Sequence, residues 1–398
     1  MKKYFLYSLI FLMNTMNTYS QFSHTLYSTY ESYKDNRITT NKFKHADLTA
    51  WIDSYKQNLA GILSVEKIGE SSEGRSINLL TLGTGKTKVF MWSQMHGDEA
   101  TATMGLMDML SYINAHKSSP EVQKILSELT LLIIPMLNPD GAERWTRRTA
   151  QGIDMNRDAV SLQTPEARLL KSIRDTYNPE IGFNLHDQDP RYSTGEGGKV
   201  STIALLAPSF DYAKTDNAVR LRAKKITAEL VGILKPFIPE NISRYDDAFE
   251  PRAFGDNVQK WGTSTILIES GGWYNDPAKM YIRKLNCVMF LAALHSIATR
   301  AYEQTPISEY EKLPLNAKTL FDLLIHNATI TFANGTAPLV ADIAINYEQD
   351  GKGKIMDIGD LRVFTAHENI SAEGKKLEKT FITLDTVIDM NELKAKLK

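Results

Sequence analysis

Two stretches of this chain, Lys88-Val-Phe-Met-Trp92 and Leu131-Leu-Ile-Ile-Pro-Met136, run apolar without polar alternation. A strand with one wet face needs a polar residue at every second position, so strands written this way belong to a sheet covered by helices on both sides. The intervening sequence supplies those helices. Apolar residues recur at helical spacing over Ala100–Ile113, Glu121–Leu129, Pro165–Tyr177, Asp216–Leu234 and Pro277–Thr299. Further strand candidates are Ile181–Leu185, Thr202–Ala207 and Ser264–Ile268. Strands that alternate with helices predict an α/β fold. Upstream, Ser64–Ile68 and Ile77–Leu82 read as a hairpin leading into the central strand, and Leu48, Trp51, Ile52 and Tyr55 give one buried helical face over Asp47–Leu59. Phe22–Asn41 shows no clear period and reads as an arm laid over the domain.

Charge narrows the function classes. Lys plus Arg total 46 and Asp plus Glu total 47, so no strong field favours nucleic acid or an acidic membrane. Met1-Lys-Lys3, the apolar Tyr4–Met13 and the polar, small-residue Asn14–Gln21 have the layout of a secretory signal peptide over residues 1–21. Its apolar run is shorter than the ~20 residues of a permanent anchor, which predicts no stable membrane insertion after cleavage and a periplasmic or secreted location. The single cysteine, Cys287, cannot form an internal disulfide and sits at core spacing in the last long helix. After Glu303-Gln-Thr-Pro306 the composition shifts. Ala328–Phe332, Val340–Ile345 and Leu361–Thr365 read as short strands between Gly-containing turns. The expected organisation is a main domain over 22–304 and a small β-rich domain over 305–398. His326 and His367 in that region have no acidic partner at ligand spacing and read as surface or turn residues.

The residues able to do chemistry stand where the apolar strands end. The first strand gives way to His96-Gly-Asp-Glu99, a histidine and a carboxylate three residues apart at a strand-to-helix break. The second stops in Asn138-Pro-Asp-Gly141, a turn signature. Beyond it, four arginines, Arg144, Arg147, Arg148 and Arg157, lie within fifteen residues, a cluster suited to an anionic substrate group or a developing oxyanion. The third strand closes on His186 and the fourth on Glu269, with Gly271 and Gly272 following. Two imidazoles and one carboxylate are a three-ligand Zn²⁺ set of the catalytic kind, and a glutamate beside it suits a general base. Each signal alone has an ordinary structural explanation: a helix cap, a core histidine, a solvated loop. Their convergence at one sheet edge, where open α/β sheets place their sites, is what distinguishes them.

In these residues the chain resembles the zinc metallocarboxypeptidases. His96 and Glu99 match the family's His-x-x-Glu, Asn138–Gly141 its Asn-Pro-Asp-Gly turn, and Asp154-Met-Asn-Arg157 its Asp-Leu-Asn-Arg; His186 matches the third ligand and Glu269 the terminal glutamate. The resemblance runs from Leu48 to Arg300 and implies a twisted mixed sheet with helices on both faces, so that 22–304 becomes the catalytic domain. It implies one Zn²⁺ per chain on His96, Glu99 and His186, Glu269 as general base, and Asn156 and Arg157 on the substrate's terminal carboxylate. Arg148 is then the oxyanion donor, with Arg147 the neighbouring alternative. Tyr245 falls at a plausible distance for the substrate-capping tyrosine, although no motif fixes it. Arg252 and Phe254 fall in the window that builds the specificity pocket, which suggests an acidic or mixed side chain. Departures from the family include Asp158 where digestive members have Asn, Thr149 where relatives often have Asn, and a shorter insert before Asn156. The expected activity is removal of the C-terminal residue from peptides with a free carboxylate, cell-wall peptides included. A related zinc-dependent N-acyl amino acid acylase and a non-catalytic peptide-terminus binding module are the alternatives.

Overall fold

The computed structural model describes residues 21–348 and 350–397. The expected signal peptide thus lies outside the described residues, apart from Gln21. No described helix is long and apolar enough to cross a membrane.

The described chain opens with a helix, α1 (residues 21–33), followed by α2 (His45–Asn58), β1 (Leu63–Glu70), β2 (Ser76–Leu82), β3 (Thr87–Ser93) and α3 (Thr101–Ala115). Next come α4 (Pro120–Glu128), β4 (Leu129–Ile134), α5 (Pro139–Arg144), α6 (Pro165–Tyr177), β5 (Ile181–Asp187) and the short β6 (Ser193–Thr194). The main body is completed by β7 (Ile203–Leu206), α7 (Ala218–Leu234), β8 (Ile242–Arg244), α8 (Phe254–Lys260), β9 (Ser264–Ser270) and α9 (Met280–Thr299).

Eight strands form one mixed sheet in the order β1-β2-β4-β3-β5-β9-β7-β8. The four central strands β4, β3, β5 and β9 are mutually parallel, so their carboxyl ends open on the same edge. The hairpin β1–β2 joins the sheet through β4 rather than through β3. Both faces are covered, as the unbroken apolar strands require. Val89, Met91, Phe183, Leu185, Ile266 and Ile268 pack into the larger core with α1, α2, α3, α7 and α9. Phe90, Trp92, Leu132 and Ile134 pack on the other face against residues of α6 and α8.

The amino-terminal segment departs from expectation. It is a helix, not an arm, and Phe22, Leu26, Tyr30 and Tyr33 are its buried stripe. Those positions follow helical periodicity, but three of the four are aromatic, and the tyrosine hydroxyls made the stripe read as polar. Tyr30 donates its hydroxyl to Asp108 Oδ2 at 2.5 Å. Arg283 of α9 clamps the same carboxylate through Nε at 2.7 Å and Nη2 at 2.6 Å. A buried pair of this kind joins α1, α3 and α9, and removing one partner leaves an uncompensated charge in the core.

Beyond α9 a short α10 (Ser308–Glu311) leads to β10 (Asn316–Ala317), which pairs with β6 of the main body. The rest is a six-stranded sheet built from β11 (Leu320–Thr331), β12 (Leu339–Tyr347), β13 (Lys352–Gly359), β14 (Thr365–Ser371), β15 (Lys376–Glu378) and β16 (Val387–Asp389), closed by α11 (Met390–Lys396). It has its own core around Leu323, Ile325, Ile343, Ile345, Ile355 and Leu393. The strand expected at Leu361–Thr365 is instead a turn leading into β14, which starts at Thr365.

Candidate active site

The four parallel strands deliver their polar residues to one cleft of about 320 Å³. His96 and Glu99 belong to the turn between β3 and α3, where the Glu99 N–H donates to the His96 carbonyl at 3.1 Å. Gly97 between them is required by close approach: a Cβ there would lie 2.0 Å from the Gly141 carbonyl carbon. The Asn138-Pro-Asp-Gly signature turns out to start a helix. Asn138 caps α5 by accepting from the Gly141 N–H at 2.9 Å, and Pro139 fills the first helical position where no donor is needed. The Asn138 amide also donates to the Met95 carbonyl at 3.3 Å and the Arg147 carbonyl at 3.4 Å, joining the two turns.

His96, Glu99 and His186 converge with their ligand atoms all within 4.8 Å of one another, and all three are buried. His96 Nδ1 lies 2.7 Å from Glu99 Oε1, and His186 Nδ1 lies 2.6 Å from Glu99 Oε2. Burial alone would raise the Glu99 carboxyl, but the two imidazoles hold it well below the usual range. Burial pushes His96 down, yet Glu99 and Asp154 outweigh it and lift the ring to about 9. Burial lowers His186, with Glu99 opposing. Asp154, named in the Asp-Met-Asn-Arg match without a role, accepts from the outer nitrogen of His96, Nε2, at 3.1 Å. A carboxylate on the second ring nitrogen is the partner that orients a metal-binding histidine. A dry set of two imidazoles and one ionised carboxylate therefore fits Zn²⁺.

Glu269 on β9 is the register partner of His186 on β5, so both side chains rise from the same face of adjacent strands. Burial raises its carboxyl well above the ordinary value, and the neighbouring Glu99 charge adds to the shift. Directly behind this pair, on the opposite face, Asp187 accepts from Lys279 Nζ at 3.0 Å and from the Thr101 hydroxyl at 2.5 Å. Lys279 Nζ also reaches the Ser270 carbonyl at 2.9 Å. Lys279 thus ties the ends of β5 and β9 together beneath the site. Nothing in the spacing pointed to it, although Asp187 beside His186 was a signal.

Asn156, Arg157 and Tyr245 all line the cleft. Asn156 Oδ1 accepts from the Phe254 N–H at 2.9 Å, which ties the Asp154–Arg157 segment to α8. The Tyr245 ring stands 6.5 Å from Tyr192, and burial together with the Glu269 charge raises its hydroxyl. The arginine cluster divides. Arg147 reaches the ligand set, with Nη1 3.1 Å from His96 Nδ1 and 3.3 Å from Glu99 Oε1, and Nε 3.0 Å from Asp154. Arg148, expected to be the oxyanion donor, is directed away: its guanidinium donates to the Gly152 carbonyl at 3.0 Å and does not line the cleft. Arg144 is paired with Glu73 outside the cleft. The specificity window also needs correction. Arg252 is exposed and folded back on Glu250 at 3.0 Å, and Phe254 is fully buried in the core beneath α8. Asp256, two residues further on, lines the cleft in their place.

Among solved structures, a metallo-carboxypeptidase from Burkholderia cenocepacia superposes with a TM-score of 0.51 at 18% identity, covering 65% of this chain and 70% of that one, a likeness of fold. In sequence, residues 48–184 match the zinc carboxypeptidase family model, in line with the resemblance drawn from the motifs. Carboxypeptidase 2 of Trichophyton equinum is 25% identical over 198 residues, 46% of this chain and 34% of its own length. Carboxypeptidase B of Astacus astacus is 31% identical over 109 residues, 26% of this chain and 34% of its own length. The chain thus spans about a third of the length of these curated relatives.

Proposed function

We propose that this chain is an exported zinc-dependent carboxypeptidase that removes the C-terminal residue from peptides, cell-wall peptides included. The observation that carries the reading is the meeting of His96, Glu99 and His186 at one buried point, with Glu269, Arg147, Asn156 and Arg157 lining the same cleft. His96, Glu99 and His186 would hold one Zn²⁺, which when bound supplies Lewis acidity toward the scissile carbonyl and lowers the pKa of water. The chain's own groups do the rest. Glu269 takes the proton of the attacking water and returns it to the leaving amine. Arg147 donates to the oxygen that gains charge during attack. Arg157, with its planar guanidinium, and the Asn156 amide hold the terminal carboxylate and so fix which bond is presented. Asp154 keeps the His96 ring oriented, and Tyr245 closes over the bound residue.

Export rests on the signal-like pattern of residues 1–21, and the division into a catalytic region over 22–304 and a β-rich region over 305–398 rests on the separate sheets and cores. The test is a panel of peptides assayed with and without chelator and with Glu269→Gln. Full activity after metal removal rejects the zinc reading. Glu269→Gln is expected to lose at least ~10²-fold in kcat, the range of a general base, while still retaining zinc; an unimpaired variant removes Glu269 from the mechanism. Activity confined to N-acyl amino acids would point to the acylase instead, and metal binding without turnover to the binding module.

A further inference from the structure

Three elements that carry the candidate site are tied together at Asp187. On β5 it follows His186, and its N–H donates to Glu99 Oε2 at 3.2 Å. Thr101, which opens α3 two residues beyond Glu99, donates its hydroxyl to Asp187 Oδ2. Lys279 reaches the same oxygen and, through the Ser270 carbonyl, the end of β9. The register sets Ser270 opposite Asp187, one step past His186 and Glu269, so the ammonium bridges the two strands at the level where those side chains leave them. Asn286 of α9 gives the same strand end a second hold, its amide donating to the Ser270 hydroxyl at 2.9 Å.

Lys279 keeps this place at the expense of its backbone. With φ 56° and ψ 33° it lies in the left-handed region, which disfavours any residue with a Cβ and suits glycine. The turn around it is fixed on both sides. The Lys279 N–H donates to the Asp276 carbonyl at 3.0 Å, and its own carbonyl accepts from the Arg283 N–H at 2.8 Å. The Asp276 carboxylate in turn accepts from the Met280 and Tyr281 N–H groups at 2.7 and 2.8 Å. A side chain held in such a conformation marks a position where its contacts outweigh the strain. Here those contacts join an ammonium whose side chain is 14% exposed to a carboxylate that is 9% exposed, and charge-assisted bonds of that kind are the short, strong ones.

We propose that Lys279 is a positioning residue for Glu269: by bridging Asp187 and the Ser270 carbonyl it sets the spacing between the base and the His96–Glu99–His186 set without touching substrate. The proposal rests on the carboxypeptidase reading, in which Glu269 must stand within proton-transfer reach of the attacking water. A misplacement of about 1 Å can cost ~10²-fold in rate. Asn156 and Arg157, assigned to the substrate carboxylate, sit on a different segment tied to α8 and Glu250, so binding is left alone.

The alternative role for Lys279 is to offset the Asp187 charge and nothing more. Lys279→Gly removes the ammonium and relaxes the turn; Lys279→Gly combined with Asp187→Asn removes both charges and leaves no buried one unpaired. Both are compared with the zinc-loaded wild type on one peptide, with metal content after dialysis and chemical denaturation measured alongside. Each variant is expected to retain zinc and to keep KM within ~2-fold while kcat falls ~10–100-fold, and the double variant to recover the stability that the single one loses. Recovery of kcat together with stability in the double variant would reduce Lys279 to a counter-ion and overturn the proposal. Wild-type kcat in Lys279→Gly, loss of zinc in step with activity, or failure of both variants to fold overturns it too. In all these cases turnover by the wild type leaves the carboxypeptidase reading standing, whereas a wild type that cleaves no peptide rejects both.

Discussion

Arg147 and Arg148 carry the same chemistry one residue apart, and backbone geometry decides between them. Trp145 closes α5 in the left-handed region with φ 54°, and the Thr146 N–H then bonds back to the Gly141 carbonyl at 3.0 Å. That reversal aims Arg147 at Glu99 and sends Arg148 to the Gly152 carbonyl. Motif spacing could not resolve a one-residue step, because the direction of each side chain depends on how the turn closes. Arg147→Ala is expected to lose ~10²–10³ in kcat, and Arg148→Ala to stay within ~3-fold of wild type; steady-state kinetics on one peptide checks both. Glu269 supports a pH prediction. Its carboxyl is raised by burial and by Glu99, and a base must be ionised, so activity falls as pH drops through a value above that of a free glutamate. A cation bound nearby pulls the other way, and the acid limb of kcat/KM is expected to lie above the value of a free glutamate. A limb at or below ~4.3 would falsify Glu269 as the base.

At the scale of elements, the site is the place where two strand-to-helix turns lock together. Gly97 leaves no room for a side chain against Gly141, and Asn138 bonds to both turns. Gly97→Ala is expected to force these turns apart and to lose most of the zinc affinity, which metal content after dialysis against a competing chelator would reveal. Retention of wild-type affinity would mean the turns can separate without moving His96. Much of this level was legible in the sequence. Pro165–Tyr177 was read with the bounds of α6, since Thr164 caps it and Pro165 opens it. The unbroken apolar runs gave the central strands, and their ends gave the residues that meet in the candidate metal site. The Asn-Pro-Asp-Gly segment was read as a turn because a helix start uses the same residues: an acceptor at the cap and a proline at the first position. Strand β8 and helix α8 went unread because three and seven residues, respectively, carry too little period to register.

At the scale of the whole molecule, the described start of the chain is part of the core. Asp108 is fully buried and satisfied by Tyr30, Arg283 and the Asp35 N–H. Asp108→Ala would leave the Arg283 guanidinium buried without its partner and is expected to cost ~3–5 kcal/mol, read from chemical denaturation. A loss below 1 kcal/mol would show that water or a neighbour compensates. The carboxyl-terminal sheet was read as strand-rich from its turns, but its attachment was not, because pairing between distant segments leaves no local pattern. β10 pairs with β6 seven residues beyond His186, Lys318 enters the cleft wall on Asp189, and His367 Nε2 lies 3.0 Å from the Pro190 carbonyl.

That stitching has a practical corollary for protein engineering. Asn316 donates to Gln188 at 2.8 Å, and Gln188 in turn donates to the Ser201 carbonyl at 3.1 Å, so the loop that continues from His186 is backed from the far end of the chain. A truncation at residue 304 would strip the backing from that loop. A shortened enzyme made for crystallisation or immobilisation should therefore retain at least the segment through Leu320, and a domain graft should take the β-rich sheet and the 188–201 loop as one exchangeable cassette.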